Sequence, residues 1–238
     1  MSAESSVRIG LILPDVLGTY GDSGNATVLR KRLEWRGIEA EVLPVRLGDV
    51  TPSSLDLYVL GGGEDDAQAL AADHLSKDPG MQRGVERGAV VFGVCAGLQV
   101  LGRAFTTSDG VTHPGLGLLD VSTSPGERRS VGEVVVQPDP RFGTEPLTGF
   151  ENHLGITTVG PDSLPLGQVV RGTGNGEGTE GAVSGRVLAT YLHGPALARN
   201  PELADLVLGW VVGLPLPPLD IPEVEQLRQE RLARRRAR

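Results

Sequence analysis

The feature that most constrains the fold is the stretch 89–102, where an apolar run leads directly into small residues and then a helical pattern. Residues 89–94 are mostly apolar and rich in valine, as in a buried strand. They lead to the only cysteine of the chain, Cys95, which has Gly93 two residues before it and Gly97 two residues after it. The stretch therefore predicts a strand, a sharp turn and a helix, with the thiol at the turn.

A thiol at such a turn is a candidate nucleophile. G-x-S-x-G hydrolases hold their serine on the same strand–turn–helix device, and Gly93-Val94-Cys95-Ala96-Gly97 is its sulfur counterpart. The turn strains the backbone of the nucleophile, so its neighbours must be small. The helix N-terminus stabilises negative charge and therefore favours the thiolate. The alternative is a structural cysteine, because free cysteines are among the most buried residues.

Length and composition fit one α/β domain, since 238 residues can bury a full core. The net charge is −8; the last 16 residues carry six arginines against three glutamates, so the remainder carries −11, a poor surface for nucleic acid. No apolar run approaches the roughly 18 residues of a membrane span, and no signal-peptide pattern opens the chain. A single cysteine excludes an internal disulfide and fits a reducing compartment. We therefore expect a cytoplasmic protein with no membrane insertion and no nucleic-acid partner.

Alternating strand and helix patterns predict an α/β fold with a mainly parallel central sheet and helices on both faces. The strands predicted up to the cysteine cover residues 7–13, 38–45, 55–60 and 89–94. Shorter β-type segments between residues 104 and 160 are typical of antiparallel additions. The glycine-rich stretch 172–181 predicts an exposed, mobile loop. We expect one domain over residues 1–214, followed by a Pro-containing link and an Arg-rich tail over 215–238.

The run Gly61-Gly62-Gly63 directly follows the third predicted strand. Ligands of open α/β sheets bind at the carboxyl ends of strands, and glycines there leave backbone N–H groups bare. The amides of Gly62 and Gly63, with that of Ala96 just past the cysteine, are therefore candidates for an oxyanion hole. Taken alone, a glycine run is more often a plain flexible turn.

A further buried strand pattern ends at His193, which Gly-Pro follows. Because the carboxyl ends of parallel strands meet at one edge of a sheet, we expect this imidazole to lie near Cys95. His153 is a rival, although its strand is shorter and more polar, whereas His74 and His113 have the pattern of surface residues. A strand-end histidine alone is more often structural, but beside a nucleophile it is a candidate general base.

Two adjacent arginines, Arg128 and Arg129, lie in a predicted loop between two β-type segments. A double arginine in a loop is normally solvated surface. Near a catalytic cysteine, however, a guanidinium can bind a substrate carboxylate through two parallel hydrogen bonds.

The order of these motifs resembles that of class I, triad-type glutamine amidotransferases, and within them the subgroup related to cobyric acid synthase. The motifs are YGDSGN, GGGEDDAQAL, GVCAGLQVLG, GLGLLDV, GFENH and YLHGP. In this order they are similar to those of the glutaminase subunits of lipid II isoglutaminyl synthases. The resemblance runs from about residue 8 to residue 213, which is nearly the whole predicted domain.

The resemblance implies roles for individual side chains. Cys95 matches the nucleophile of the family, and His193 matches its general base and acid. Arg129 matches the arginine that binds the substrate, with the adjacent Arg128 as the alternative.

One position departs from the pattern of the family. Many triad amidotransferases carry a glutamate two residues after the histidine, but here that position is Pro195. The residue that orients the imidazole is therefore missing from its usual place. The candidates are Glu151, Asp205 and an acidic residue of a partner subunit. We favour the partner, because glutamine hydrolysis would then depend on assembly.

The resemblance also implies a two-subunit enzyme. This chain would hydrolyse glutamine to glutamate and ammonia, and a Mur-ligase-like partner would use ATP and Mg to amidate the D-glutamate α-carboxyl of the lipid II stem peptide. No cofactor is expected in this chain, since neither a His/Cys cluster nor a P-loop is present in its sequence. Two alternatives stay open: an amidotransferase subunit for a cobyrinate-type acceptor, and a non-catalytic docking subunit of the same fold.

Overall fold

The structure is a computed structural model that describes residues 6–233. Its strands are β1 (Val7–Ile12), β2 (Ala40–Val45), β3 (Leu57–Leu60), β4 (Val90–Val94), β5 (Ala104–Thr106), β6 (Thr112–Pro114), β7 (Val121–Pro138), β8 (Leu147–Val159), β9 (Gly167–Arg171), β10 (Thr179–Glu180), β11 (Ala182–Ser184) and β12 (Val187–Thr190). Its helices are α1 (Gly24–Glu34), α2 (Asp65–Lys77), α3 (Gly80–Glu86), α4 (Ala96–Leu101), α5 (Ala196–Arg199), α6 (Pro201–Val212) and α7 (Pro222–Ala233).

The centre of the fold is a six-stranded sheet in the order β11-β12-β4-β3-β1-β2. Neighbouring strands are parallel from β2 to β12, and β11 pairs antiparallel at the edge. Strands β3, β4 and β12 are buried along their whole length, as the apolar runs of parallel sheets are. The predicted α/β fold with a mainly parallel sheet is confirmed.

Five of the helices form two groups: α1, α5 and α6 pack on one another, and α2 packs on α4. Helix α6 shows why: Leu203, Val207 and their neighbours recur every three or four residues and are buried, which gives the helix one apolar face. Gly213, with φ of 81°, ends α6 in the left-handed conformation that favours glycine.

The β-type segments predicted between residues 104 and 160 are present, but they form a second, mainly antiparallel sheet rather than extending the first. Its order is β10-β9-β7-β5-β6, with β8 paired to β7. Strands β7 and β8 form a hairpin of 18 and 13 residues, longer than the short segments expected. The sequence Ser-Pro-Gly at 124–126, which is typical of a turn, lies inside β7, where the pairing with β8 is interrupted between Pro125 and Ser130. Proline has no N–H to donate across the ladder, so the strand continues through an irregularity that contains Arg128 and Arg129.

The glycine-rich stretch 172–181 is exposed only in part, at residues 172 and 176–178, and it is tied to the fold more closely than its composition predicts. Asn175 and Glu180 are completely buried. The buried carboxylate of Glu151 accepts backbone N–H groups of this stretch at 2.9–3.0 Å. Glycines with positive φ let the chain wind tightly around that carboxylate and return as β10.

The segment after α6 returns to the second sheet. Arg228 of α7 donates to the carbonyl of Pro146 at 2.8 Å and pairs with Glu145 at 3.2 Å, so α7 packs on the β7–β8 connection. The last arginines of the predicted tail, at 234–238, lie outside the described residues. Between residues 6 and 233, every helix is too short or too polar to cross a bilayer.

Candidate active site

Cys95 lies between β4 and α4, at the turn that the sequence predicts. Its φ of 54° and ψ of −106° are strained for a residue with a side chain. The N–H of Cys95 donates to the carbonyl of Thr190 at 2.8 Å, which ties the turn to the end of β12. A Cβ atom at Gly97 would lie 3.0 Å from that of Leu60, so α4 can begin this close to β3 only with a glycine there.

His193 lies just beyond the end of β12, at the same edge of the sheet. Its backbone exchanges two hydrogen bonds with Phe150 of β8, at 2.9 and 3.1 Å, which joins the hairpin to the site. Nδ1 of the ring lies 2.9 Å from Oδ2 of Asp22, in the loop between β1 and α1. Asp22 is completely buried.

The charge of the imidazole follows from these contacts. Burial disfavours the protonated ring, but the hydrogen bond to Asp22 and the proximity of Cys95 outweigh burial and raise the pKa of His193 to about 10. These contacts therefore favour the protonated ring. Because Nδ1 faces Asp22, Nε2 is the nitrogen left to exchange protons with the thiol or a substrate.

Neither acidic residue named from the sequence as the third member contacts His193. Asp205 lies on α6, where it pairs with Arg32 at 2.5 Å and with Arg36 at 2.9 Å. Glu151 is held by the backbone of the glycine-rich stretch. Both expectations are therefore wrong, because each carboxylate is occupied by its own neighbours. An acid supplied by a partner subunit stays a prediction.

Asp22 holds the position beside the imidazole, and sequence reasoning missed it. The two residues are 171 positions apart, so no local pattern links them. One signal was available: Asp22 follows β1, whose carboxyl end lies at the same sheet edge as the ends of β4 and β12.

The glycine run 61–63 lies against His193 and Asp22. A Cβ atom at Gly62 would be 3.0 Å from Cε1 of His193 and 3.2 Å from Oδ2 of Asp22. The N–H of Gly62 donates to Asp22 at 3.1 Å, so it is not the free oxyanion amide that we expected. In the part of the chain that the structure describes, the amides of Gly63 and Ala96 donate to no protein group, and these two remain candidates.

Of the two adjacent arginines, Arg129 is the one that lines the cavity over the cysteine. Its Nε donates to Asn152 at 2.6 Å, and its Nη2 donates to the hydroxyl of Tyr20 at 3.4 Å. Nη2 also lies 3.6 Å from a carboxylate oxygen of Glu64. Arg128 is exposed and does not line the cavity. The geometry therefore favours Arg129 as the substrate arginine.

Tyr20, which the sequence did not single out, covers the cavity. Its φ of 61° lies in the left-handed region, and its ring meets the ring of His193 edge-on, with centroids 4.8 Å apart. Its hydroxyl accepts a hydrogen bond from Asn152 at 2.8 Å. The cavity that contains Cys95 measures about 50 Å³, well below the roughly 300–1,000 Å³ of small-molecule pockets. At this volume the cavity cannot hold a small-molecule substrate unless the side chains around it move.

A buried polar network supports the back wall of this cavity. Gln68 donates to Gln99 at 2.6 Å, and Gln99 donates to the hydroxyl of Tyr191 at 3.0 Å. The same hydroxyl lies 2.7 Å from that of Thr157. His153, the rival histidine, stacks on Tyr191 with centroids 3.8 Å apart and lines the cavity. His153 therefore forms part of the cavity wall, whereas His193 lies beside Cys95.

A larger cavity, of about 780 Å³, lies between α6 and the C-terminal segment. Its lining includes Trp210 and the Asp205–Arg32 ion pair, whereas Cys95 and His193 line neither its floor nor its mouth. Within residues 6–233, no group of three or more His, Cys, Asp or Glu side chains is arranged to hold a metal ion. The chemistry therefore belongs to the small cavity.

The sequence matches the family model of the CobB/CobQ-like glutamine amidotransferase domain over residues 8–201. It is 35% identical over 227 residues to the lipid II isoglutaminyl synthase (glutamine-hydrolyzing) subunit GatD of Staphylococcus aureus (strain N315), which covers 92% of this chain and 91% of that protein. The subunit of the same name from Streptococcus pneumoniae (strain ATCC BAA-255 / R6) is 34% identical over 203 residues, 83% of this chain and 77% of that one.

Among solved structures, the fold is similar to that of a glutamine amidotransferase, with a TM-score of 0.57 and 19% identity. The superposition covers 86% of this chain and 98% of that one. This likeness concerns the fold alone.

Proposed function

Because the chain belongs to the CobB/CobQ-like glutamine amidotransferase family, we propose that it is the glutaminase subunit of a lipid II isoglutaminyl synthase. The observation that carries this proposal is the strained Cys95 beside the buried His193–Asp22 pair. A nucleophile, a charged imidazole and an orienting carboxylate are what amide hydrolysis through a thioester requires. Similarity along nearly the whole chain to subunits of that name supports the choice of acceptor.

In the first half-reaction, the thiolate of Cys95 attacks the side-chain carboxamide carbon of glutamine. The C–S bond forms while the carbonyl electron pair moves to oxygen, and the amides of Gly63 and Ala96 bind the oxyanion. His193 donates the proton on Nε2 to the amide nitrogen. The C–N bond then breaks, so that ammonia leaves and a γ-glutamyl thioester remains on the sulfur.

In the second half-reaction, the neutral ring of His193 takes a proton from water as the water oxygen attacks the thioester carbon. The C–S bond breaks, glutamate leaves, and the thiolate of Cys95 is restored beside the imidazolium. Asp22 stabilises the imidazolium each time it forms and keeps Nε2 turned to the reacting atoms.

Arg129 binds the α-carboxylate of glutamine in this proposal. Its guanidinium lines the cavity of Cys95 and is held there by Asn152. A guanidinium recognises a carboxylate through two parallel hydrogen bonds, which would fix the substrate's direction in the site.

The acceptor reaction belongs to a second subunit in this proposal. We infer a Mur-ligase-like partner that uses ATP and Mg to amidate the D-glutamate α-carboxyl of the lipid II stem peptide, with no cofactor in this chain. Ammonia released to bulk water becomes ammonium, so a protected path between the two sites is required. The complex would work in the cytoplasm, as the single cysteine suggests. Residues 1–214 form the catalytic domain, and residues 215–238 form the link and tail.

The test is amidation of lipid II by the purified complex, carrying either Cys95→Ser or His193→Ala, with glutamine or with ammonium salt as the nitrogen source. We expect each variant to lose glutamine-dependent amidation, by at least about 100-fold, and to keep ammonia-dependent amidation. Loss of both activities would show that Cys95 and His193 have a structural role. A wild-type complex that amidates with ammonia but releases no glutamate from glutamine would overturn the proposal.

A further inference from the structure

Glu64 directly follows the glycine run and occupies the N-cap position of α2, but its side chain makes no capping hydrogen bond. Its carboxylate turns instead to the mouth of the cysteine cavity. There Oε1 lies 3.6 Å from Nη2 of Arg129 and accepts a hydrogen bond from the hydroxyl of Tyr20 at 3.4 Å. The side chain is 65% exposed, and an ion pair at this distance and exposure contributes little stability.

A second carboxylate, that of Asp65, lines the same cavity but is occupied. Its Oδ2 accepts hydrogen bonds from both the N–H and the hydroxyl of Ser108, at 2.7 and 2.6 Å. Of these two carboxylates, Glu64 is therefore the one that can change partners when a ligand enters.

Free glutamine carries a carboxylate and an ammonium group on the same carbon atom, so a site that binds both needs opposite charges close together. We propose that Glu64 binds the α-ammonium group of glutamine while Arg129 binds the α-carboxylate, an assignment that rests on the proposed function. In the structure, which holds no substrate, the two side chains pair with each other. On binding, each charge exchanges that weak contact for an oppositely charged group of the substrate.

The assignment makes Glu64 a specificity-determining residue. A glutamine inside a peptide has its α-nitrogen in an amide bond, and glutaramate, the analogue with hydrogen in place of the amino group, has no nitrogen there. Either compound would leave the carboxylate of Glu64 partly desolvated without a cation, which disfavours binding. The site therefore selects primary amides that are free α-amino acids.

The experiment compares ammonia release from glutamine and from glutaramate by the purified complex with Glu64→Gln. The uncharged amide has nearly the same shape but loses the ionic attraction. We expect KM for glutamine to rise about tenfold or more with little change in kcat, and kcat/KM for glutaramate to change less than about twofold. The preference for glutamine over glutaramate should therefore fall about tenfold or more.

Asp66→Asn is the matched control, because Asp66 is an exposed acid in the first turn of the same helix and does not line the cavity. It should leave the preference for glutamine unchanged. An equal loss with both amides in Glu64→Gln, or no change with either, would overturn the assignment. The proposed function fails separately, if the wild-type complex releases no ammonia from glutamine.

Discussion

At the scale of single residues, the completely buried Asp22 holds two parts of the site through hydrogen bonds. One carboxylate oxygen accepts hydrogen bonds from both the imidazole of His193 and the backbone N–H of Gly62. The same atom therefore holds the ring and the glycine run in one arrangement. A buried carboxylate is stabilised by such donors, and it in turn stabilises the charge on the ring.

Asp22→Asn tests the role of this charge. The amide keeps the shape of the side chain, but it no longer stabilises the imidazolium, so the pKa of His193 should fall from its raised value. We expect kcat for glutamate release to drop about 100-fold or more, with a smaller change in KM. NMR titration of the His193 ring measures the first effect, and steady-state kinetics measures the second.

Asp15→Asn is the control for this substitution, because Asp15 is an exposed acid in the same loop, and among residues 6–233 it accepts only the N–H of Leu47. It should leave both the pKa of His193 and kcat unchanged. Full activity in Asp22→Asn would show instead that another carboxylate, such as one from a partner subunit, orients the ring.

At the scale of elements, the end of β12 is held from behind by Glu180 of β10. One oxygen of this carboxylate accepts the N–H of Tyr191 at 2.6 Å and the hydroxyl of Thr190 at 2.9 Å. Burial, which outweighs these hydrogen bonds, raises the pKa of Glu180 to about 7. The strand end that presents His193 is thus attached to a group that ionises near neutral pH.

The sign of this shift predicts the pH dependence of stability. The pKa of Glu180 is higher in the folded state than in the unfolded state. Its contribution to stability is therefore fully present at low pH, where the carboxyl is protonated in both states, and it is lost as pH rises through about 7. Glu180→Gln stays neutral, so its free energy of unfolding should fall less between pH 5 and pH 8 than that of the wild type. We expect a difference of about 1–3 kcal/mol, measured by urea denaturation.

Glu177→Gln provides the comparison, since Glu177 is an exposed residue of the same stretch. It should reproduce the pH dependence of the wild type. If Glu180→Gln did so as well, Glu180 would already be ionised at pH 5, and the role of burial would be disproved.

The elements that the sequence predicts well are those in which local pattern and burial agree. The run before Cys95 is apolar, short and bounded by glycine, and it becomes β4. Composition alone gives the wrong prediction where a residue distant in sequence holds the chain in place. The stretch 172–181 is polar and rich in glycine, but its backbone N–H groups donate to the carboxylate of Glu151 in β8. Asp22 was missed for the same reason, since its partner lies 171 residues away and only the sheet brings the two together.

At the scale of the whole molecule, the small size of the cavity over Cys95 offers a reason for glutamine hydrolysis to depend on assembly. Tyr20, Arg129, Asn152 and Glu64 form one hydrogen-bonded cluster over a cavity of about 50 Å³. Asp22 already holds the imidazole within this chain, so the missing step is the entry of substrate. A partner that binds near the cluster would activate the site by favouring its open form.

Tyr20→Phe distinguishes this explanation from the alternative, in which the partner supplies an acidic residue to the site. Phenylalanine keeps the ring against His193 but loses the hydroxyl that contacts Asn152, Arg129 and Glu64. We expect the wild-type complex to release glutamate at least about tenfold faster than the isolated chain, and this ratio to shrink several-fold in Tyr20→Phe because the isolated chain becomes faster.

Tyr58→Phe controls for the loss of a phenol, because the hydroxyl of Tyr58 bonds to the carbonyl of Pro52 outside this cluster. It should leave the ratio of the two rates unchanged. If the ratio were unchanged in Tyr20→Phe, loosening the cluster would not be what activates the isolated chain. The dependence on assembly would then come from a group that the partner supplies. Equal rates for the isolated wild-type chain and the complex would refute both explanations, because hydrolysis would then need no partner.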